Sequence, residues 1–354
     1  MSIKLPPYVI VIFLLFATVG NSFCQKLNEK LKISIINKTQ TGGKIYSSLL
    51  CTPDKHVVVG SHDKNIYFFD RFGNLVNKFK TNGWVHATPS VISDSIVAIG
   101  SYDKNLYLFN TKGILVDAIE TAGRIFTEIS QFSNGTLVYG LNKAVEFYNP
   151  FDQYYHEVKL KKLIHGTPYI DGDSVVYIGG NDKNIYRIEK TGEIVNKLRT
   201  NGWIMHAQPQ KLRDGRIMVA CYDGNLYFMN KDGDLLNTFQ TNGAIHGNPV
   251  ELENGTIILG SMDKCIYVLD NQGNLIKKIE TGGKIISSPV KITEDYVCIA
   301  SYDKNLYFVN KEGEVLSTFE TGGRVFSSPA LVDHTTLAVG CNDKNIYFLN
   351  IDYR

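Results

Sequence analysis

Neither sign of charge is in surplus in this sequence: 37 basic residues stand against 35 acidic ones, for a formal net charge of +2. Such a balance provides neither a basic stripe for nucleic acid nor an acidic tail, so no nucleic-acid partner is expected. Cysteine is sparse as well, at six. Cys51, Cys221, Cys265, Cys298 and Cys341 show no disulfide framework and read as small buried hydrophobes. The single long apolar run, Tyr8 to Val19, is too short to span a membrane. With Lys4 before it and Gly20 and Ser22 after it, the run reads as a signal peptide within residues 1–24, cleaved after Ser22 or Cys24. A lipoprotein acylated at Cys24 fits less well, because Phe23 is not small. The expected location is secreted or periplasmic, in association with the cell envelope.

What the sequence does contain is a period. Ser101-Tyr102-Asp103-Lys104-Asn105-Leu106-Tyr107 returns as His62-Asp63-Lys64-Asn65-Ile66-Tyr67 and again around Asp182, Asp223, Asp263, Asp303 and Asp343, with a damaged copy at Asn142-Lys143-Ala144. Successive copies lie 39 to 41 residues apart, and a fixed period in this range marks a repeat architecture. Eight units occupy about 320 residues, so residues 25–354 read as one domain, expected to be a monomer.

In the unit at 84–121, period-2 alternation predicts strands at Trp84 to Val91, Ile96 to Ser101, Leu106 to Asn110 and Leu115 to Thr121. Asp103-Lys104-Asn105 is the expected hairpin between the second and third, with Asn or Gly as the left-handed residue. Three residues cannot converge the oxygen ligands that calcium needs, so these turns are not calcium loops. Thr-Gly-Gly or a variant such as Thr81-Asn82-Gly83 links unit to unit. Eight four-stranded meanders predict an all-β, eight-bladed β-propeller with the first strand nearest the axis. The chain also opens with half a unit: Ile36-Asn37-Lys38 and Thr41 align with Val76-Asn77-Lys78 and Thr81. Its last unit stops at Phe348-Leu349-Asn350-Ile351, so the N-terminal strand is expected to complete the last blade and close the ring.

The stretches Thr281-Gly282-Gly283-Lys284-Ile285-Ile286-Ser287-Ser288-Pro289 and Thr321-Gly322-Gly323-Arg324-Val325-Phe326-Ser327-Ser328-Pro329 resemble the PQQ-like repeat of quinoprotein-type propellers, a resemblance that extends over residues 33–350. It implies the eight-bladed ring. That repeat builds PQQ-dependent dehydrogenases and also cofactor-free propellers such as the lipoprotein of the outer-membrane β-barrel assembly machinery. The dehydrogenases have an adjacent Cys-Cys pair, a tryptophan floor, a calcium held by acidic residues and long inserted loops. Here no Cys-Cys occurs and the only tryptophans, Trp84 and Trp203, share one repeat position. No cofactor is expected.

Variation concentrates in the first strand. One aligned position carries Tyr46, His86, Phe126, His165, His206, His246, Ile286 and Phe326. The residue just after the linker is Lys44, Arg124, Lys284 or Arg324 in blades lacking that histidine, and Trp84 or Trp203 in two blades that have it. These positions outline a ligand mouth near the axis, where basic side chains meet an anionic glycan or an acidic protein segment and tryptophan stacks on a ring. The bland alternative is packing between blades. No metal site is assigned, because His165, His206 and His246 would have to converge on one point. No catalytic residue is assigned either; the competing enzymatic reading is a lyase on acidic polysaccharide with His or Tyr as base. A second candidate surface is blade three, where the repeat breaks and Phe151, Tyr154 and Tyr155 form an aromatic outer turn fit for a protein partner.

Overall fold

A computed structural model describes residues 31–93 and 95–353. The expected signal segment at 1–24 lies outside the described residues. Those residues form eight four-stranded antiparallel sheets, each a meander, arranged as an eight-bladed β-propeller without a helix. The predicted ring closure is present. Leu31–Gln40 pairs antiparallel with Asn345–Tyr353, from Leu31 opposite Tyr353 to Gln40 opposite Asn345, and so supplies the outermost strand of blade eight.

Burial explains why the central strands lack clean alternation. Val57–Gly60 and Asn65–Phe69 are buried at every position, because neighbouring blades cover both faces of each sheet. Outer strands such as Leu75–Lys80 are covered on one face only, where Asn77 and Phe79 are half-buried, and the other four residues are exposed. Close packing also dictates Gly100, whose Cβ would overlap Ile125 of the next blade.

Two local expectations are corrected. The first strand does not run from Trp84 to Val91; it is Ser90–Ser93, and in blades one, three, five, six and seven it has only two residues. Residues 84–89 run toward the axis as irregular chain, since eight inner strands crowd where the radius is least. In the hairpin, the left-handed residue is the lysine and not the asparagine: Lys64, Lys104, Lys183, Lys264, Lys304 and Lys344 have φ between 66° and 78°. Gly224 occupies the same place in blade five at φ 87°. The aspartate makes this geometry tolerable, as its Oδ1 accepts the N–H two residues on, from Asn105 to Asp103 at 3.1 Å.

The Thr-x-Gly linker ties consecutive blades through these turns. Thr81 Oγ1 donates to the Lys64 carbonyl of the blade it leaves at 3.0 Å, and the Asn82 N–H donates to Asp103 Oδ2 of the blade it enters at 2.9 Å. Gly83 follows because any Cβ there would run into the Asp103 backbone. Among the described residues the five cysteines are free thiols, four buried and Cys51 partly so. Cys221 and Cys341 stand where other blades have serine, with Sγ against the Trp203 and Arg324 carbonyls.

Candidate functional site

Each blade enters the axis on the segment after its linker, and alternate residues of that segment build three stacked rings. The first ring contains Lys44, Trp84, Arg124, Trp203, Lys284 and Arg324, with Leu163 and Ala244 completing it. Its positions are held by the backbone, as the carbonyls of Lys44, Trp84 and Arg324 accept N–H bonds from His62, Tyr102 and Asn342 at 3.0 to 3.1 Å. All four basic side chains are exposed, Trp84 is 49% exposed and Trp203 48%. No ion pair among the described residues involves Lys44, Arg124, Lys284 or Arg324. Aromatic supports fix several of them. Arg124 lies over the Tyr102 ring at 5.5 Å, Arg324 over Tyr302 at 5.8 Å, and Trp84 stacks on His62 at 4.9 Å and 8°. His62 Nε2, Asn181 Oδ1 and Asn342 Oδ1, from one repeat position beside this ring, are buried without a hydrogen-bond partner.

The second ring closes the axis. Tyr46, His86, Phe126, His165, His206, His246 and Phe326 meet edge to face and face to face, including contacts across the ring from His86 to His206 at 5.3 Å and to Phe326 at 5.9 Å. His206 reaches the centre because blade five has one extra residue before it, absorbed by a left-handed backbone at His206, φ 60°. Its N–H is held by the His165 carbonyl at 2.7 Å. Burial lowers the histidines: His86 and His246 fall to about 4 and His206 lies well below the ordinary imidazole range, with neighbouring imidazoles adding to the effect at His86 and His206. They are neutral at pH 7. His165, His206 and His246 sit side by side, yet no group of three metal-ligating side chains among the described residues is arranged around a point.

The third ring holds Ser48, Thr88, Glu128, Thr167, Gln208, Asn248, Ser288 and Ser328, all of which but Gln208 line a cavity of about 330 Å³ beneath the plug. The positions expected from sequence to share one mouth are therefore divided by the plug, with the basic and tryptophan ring on one side and a histidine-floored cavity on the other. Glu128 was not singled out in the sequence reading, although it is the only ionisable residue in its repeat column. On blade three, Phe151 is 84% exposed, Tyr154 43% and Tyr155 54%, at the outer rim and away from both sites. The Tyr155 hydroxyl donates to Glu146, the buried replacement for the strand tyrosine, at 3.2 Å. Burial raises the Glu146 carboxyl, with the Tyr139 and Tyr155 hydroxyls opposing.

Comparison with known proteins agrees with this architecture. A family model described as the lambda-carrageenase beta-propeller domain matches residues 212–290. The chain is similar in structure to BamB from Moraxella catarrhalis, at 14% identity and a TM-score of 0.75, over 90% of this chain and 100% of that one. It is also similar to the computationally designed Ika8 protein, at 15% identity and a TM-score of 0.72, over 88% of this chain and 97% of that one. No curated protein matches it. At these identities the likeness is one of fold.

Proposed function

We propose that this protein is a non-enzymatic binding propeller, and that its first axial ring binds an anionic glycan. The observation that carries the reading is four exposed basic side chains without ion-pair partners, grouped around one axis with the chain's two tryptophans. Lys284, Arg324 and Lys44 come from three consecutive blades and form an arc of positive charge. Trp84, braced flat against His62, is a ready platform for a sugar ring. The partial match to the propeller domain of an enzyme named for lambda-carrageenan supports a polysaccharide ligand. An exported location rests on the N-terminal segment and suits an extracellular or envelope glycan.

The lyase alternative finds less support. Tyr102 and Tyr302 under the arginines are raised by burial, Tyr302 to about 12, the wrong direction for a base at neutral pH. His86, His165, His206 and His246 lie one layer down in the plug, and His62 is covered by the Trp84 ring. A protein partner at Phe151, Tyr154 and Tyr155 is favoured only by the 84% exposure of Phe151.

The test is binding to an array of neutral, carboxylated and sulfated glycans by the wild type and by Lys284→Ala with Arg324→Ala. Each lost charge-assisted hydrogen bond is worth about 1.5 to 3 kcal/mol, so the pair should weaken binding to the best anionic ligand by a few kcal/mol while the melting temperature stays put. Equal affinity in both proteins rejects this ring as the site.

A further inference from the structure

The cavity on the other side of the plug is built around one anomaly. In its collar a relay of hydrogen bonds runs from blade to blade: the Gln208 N–H donates to Asn248 Oδ1 at 2.7 Å, Asn248 N–H to Ser288 Oγ at 2.8 Å, Ser288 N–H to Ser328 Oγ at 2.9 Å and Ser328 N–H to Ser48 Oγ at 3.1 Å. The relay ends at Ser48. In blade three the place of these hydroxyls and amides is taken by Glu128, whose carboxyl has no hydrogen bond from any described residue and lines the cavity. No lysine or arginine lines the cavity; the other titratable groups there are Tyr46, His86, His206 and His246.

Glu128 is half-buried, and a carboxyl so placed without a partner carries a cost that a counter-ion relieves. A proton can play that part, since burial pushes Glu128 up to about 7. The rest of the cavity says which cation could replace it. Its floor is aromatic, from Tyr46, Phe126 and Phe326, and its wall is apolar, from Leu49, Val250 and Val290 among others. That surface rewards an alkyl chain behind the charge and the ring faces attract a cation, while 330 Å³ is far more room than a bare metal ion fills.

We propose that this cavity is a second binding site, for a primary alkylammonium group, with Glu128 as the counter-ion, the collar hydroxyls of Ser48 and Thr88 as further acceptors, and the aromatic plug as the floor. The ammonium belongs either to a free amine or to a lysine side chain presented by a peptide. Because the site lies beyond the plug, it is independent of the glycan reading of the opposite ring.

The test is calorimetric titration of the full chain with n-butylammonium, with putrescine and with an N-acetylated lysine amide, against 1-butanol and potassium chloride as controls. Saturable binding of the ammonium compounds is expected, and whether the diamine or the lysine amide binds tighter identifies the source. Glu128→Ser restores the residue found in blades one, seven and eight, and should fold at least as stably while weakening ammonium binding at least about tenfold. Glu128→Gln serves as the second variant and should lose binding to the same degree. Affinity should rise between about pH 6 and pH 8 as the carboxyl ionises, the three histidines being neutral over that range. The proposal is overturned if no ammonium compound saturates the protein up to about 10 mM, if both variants bind as the wild type does, or if 1-butanol or potassium competes equally.

Discussion

The Tyr107 hydroxyl donates to Asp103 Oδ2 at 2.9 Å, and the same oxygen accepts the Asn82 N–H of the incoming linker at 2.9 Å. The Tyr–Asp bond recurs in blades one, four, five, six, seven and eight, for example Tyr67–Asp63 at 2.5 Å and Tyr307–Asp303 at 2.7 Å. One carboxylate thus ties a turn, a strand and the link between blades. Tyr107→Phe removes one donor from a half-buried carboxylate and should destabilise by about 1–2 kcal/mol. In a domain of this size each kcal/mol moves the melting temperature by about 2–4 °C, and calorimetry checks it.

The repeat position of that Tyr–Asp pair is why the fold is legible in the sequence. Seven intact copies announce the unit, and the half units at both ends announce the closure. Legibility failed where one backbone must adapt to curvature. Nothing in Trp84-Val85-His86 distinguishes a strand from irregular chain converging on an axis, and propensity points to Asn105 for a conformation that Lys104 adopts. The candidate residues were visible as a variable column, but their division by a plug depends on which alternate residues face up or down. Glu128 was missed because a lone acidic residue is conspicuous only once its column is known to line a cavity.

Lys104→Gly should stabilise by about 0.5 kcal/mol, since relief of a left-handed lysine slightly exceeds the entropy glycine adds to the unfolded chain. The reverse change, Gly224→Lys, should destabilise by more, because a Cβ there meets the Thr241 and Gly243 carbonyls. Chemical denaturation of the two variants checks the opposite signs.

The plug makes stability fall in mild acid. His86 and His246 have folded values near 4 against about 6.5 unfolded, so the unfolded chain binds protons first as the pH drops. Their stability contribution is present above about pH 6.5 and is lost toward pH 4, on the order of 2 kcal/mol each by pH 5. Glu128 opposes this with a raised value, its contribution fading as the pH rises from about 4.5 to 7. Several histidines outweigh one glutamate. Melting temperature should therefore drop between pH 6.5 and 5, and His246→Phe should flatten that slope.

Deleting residues 31–40 strips the outer strand from blade eight and removes Leu31 and Ile33 from the hydrophobic cluster that includes Leu316 and Ile351. The exposed edge should lower solubility and reduce the melting temperature by well over 4 °C, more than one kcal/mol can move a domain of this size. A truncated protein melting within about 2 °C of the full one contradicts the closure.

The binding ring can be read by its own tryptophans. Trp84 and Trp203 are the only two in the chain, and both sit half exposed on the proposed surface. The decisive measurement is intrinsic tryptophan fluorescence during titration with a sulfated oligosaccharide, at low salt and at about 0.15 M. The account predicts a saturable change, weakened by salt and by Lys284→Ala with Arg324→Ala, and absent with the desulfated sugar. An unchanged spectrum with a ligand shown to bind by calorimetry, or equal binding of the neutral sugar, would contradict it.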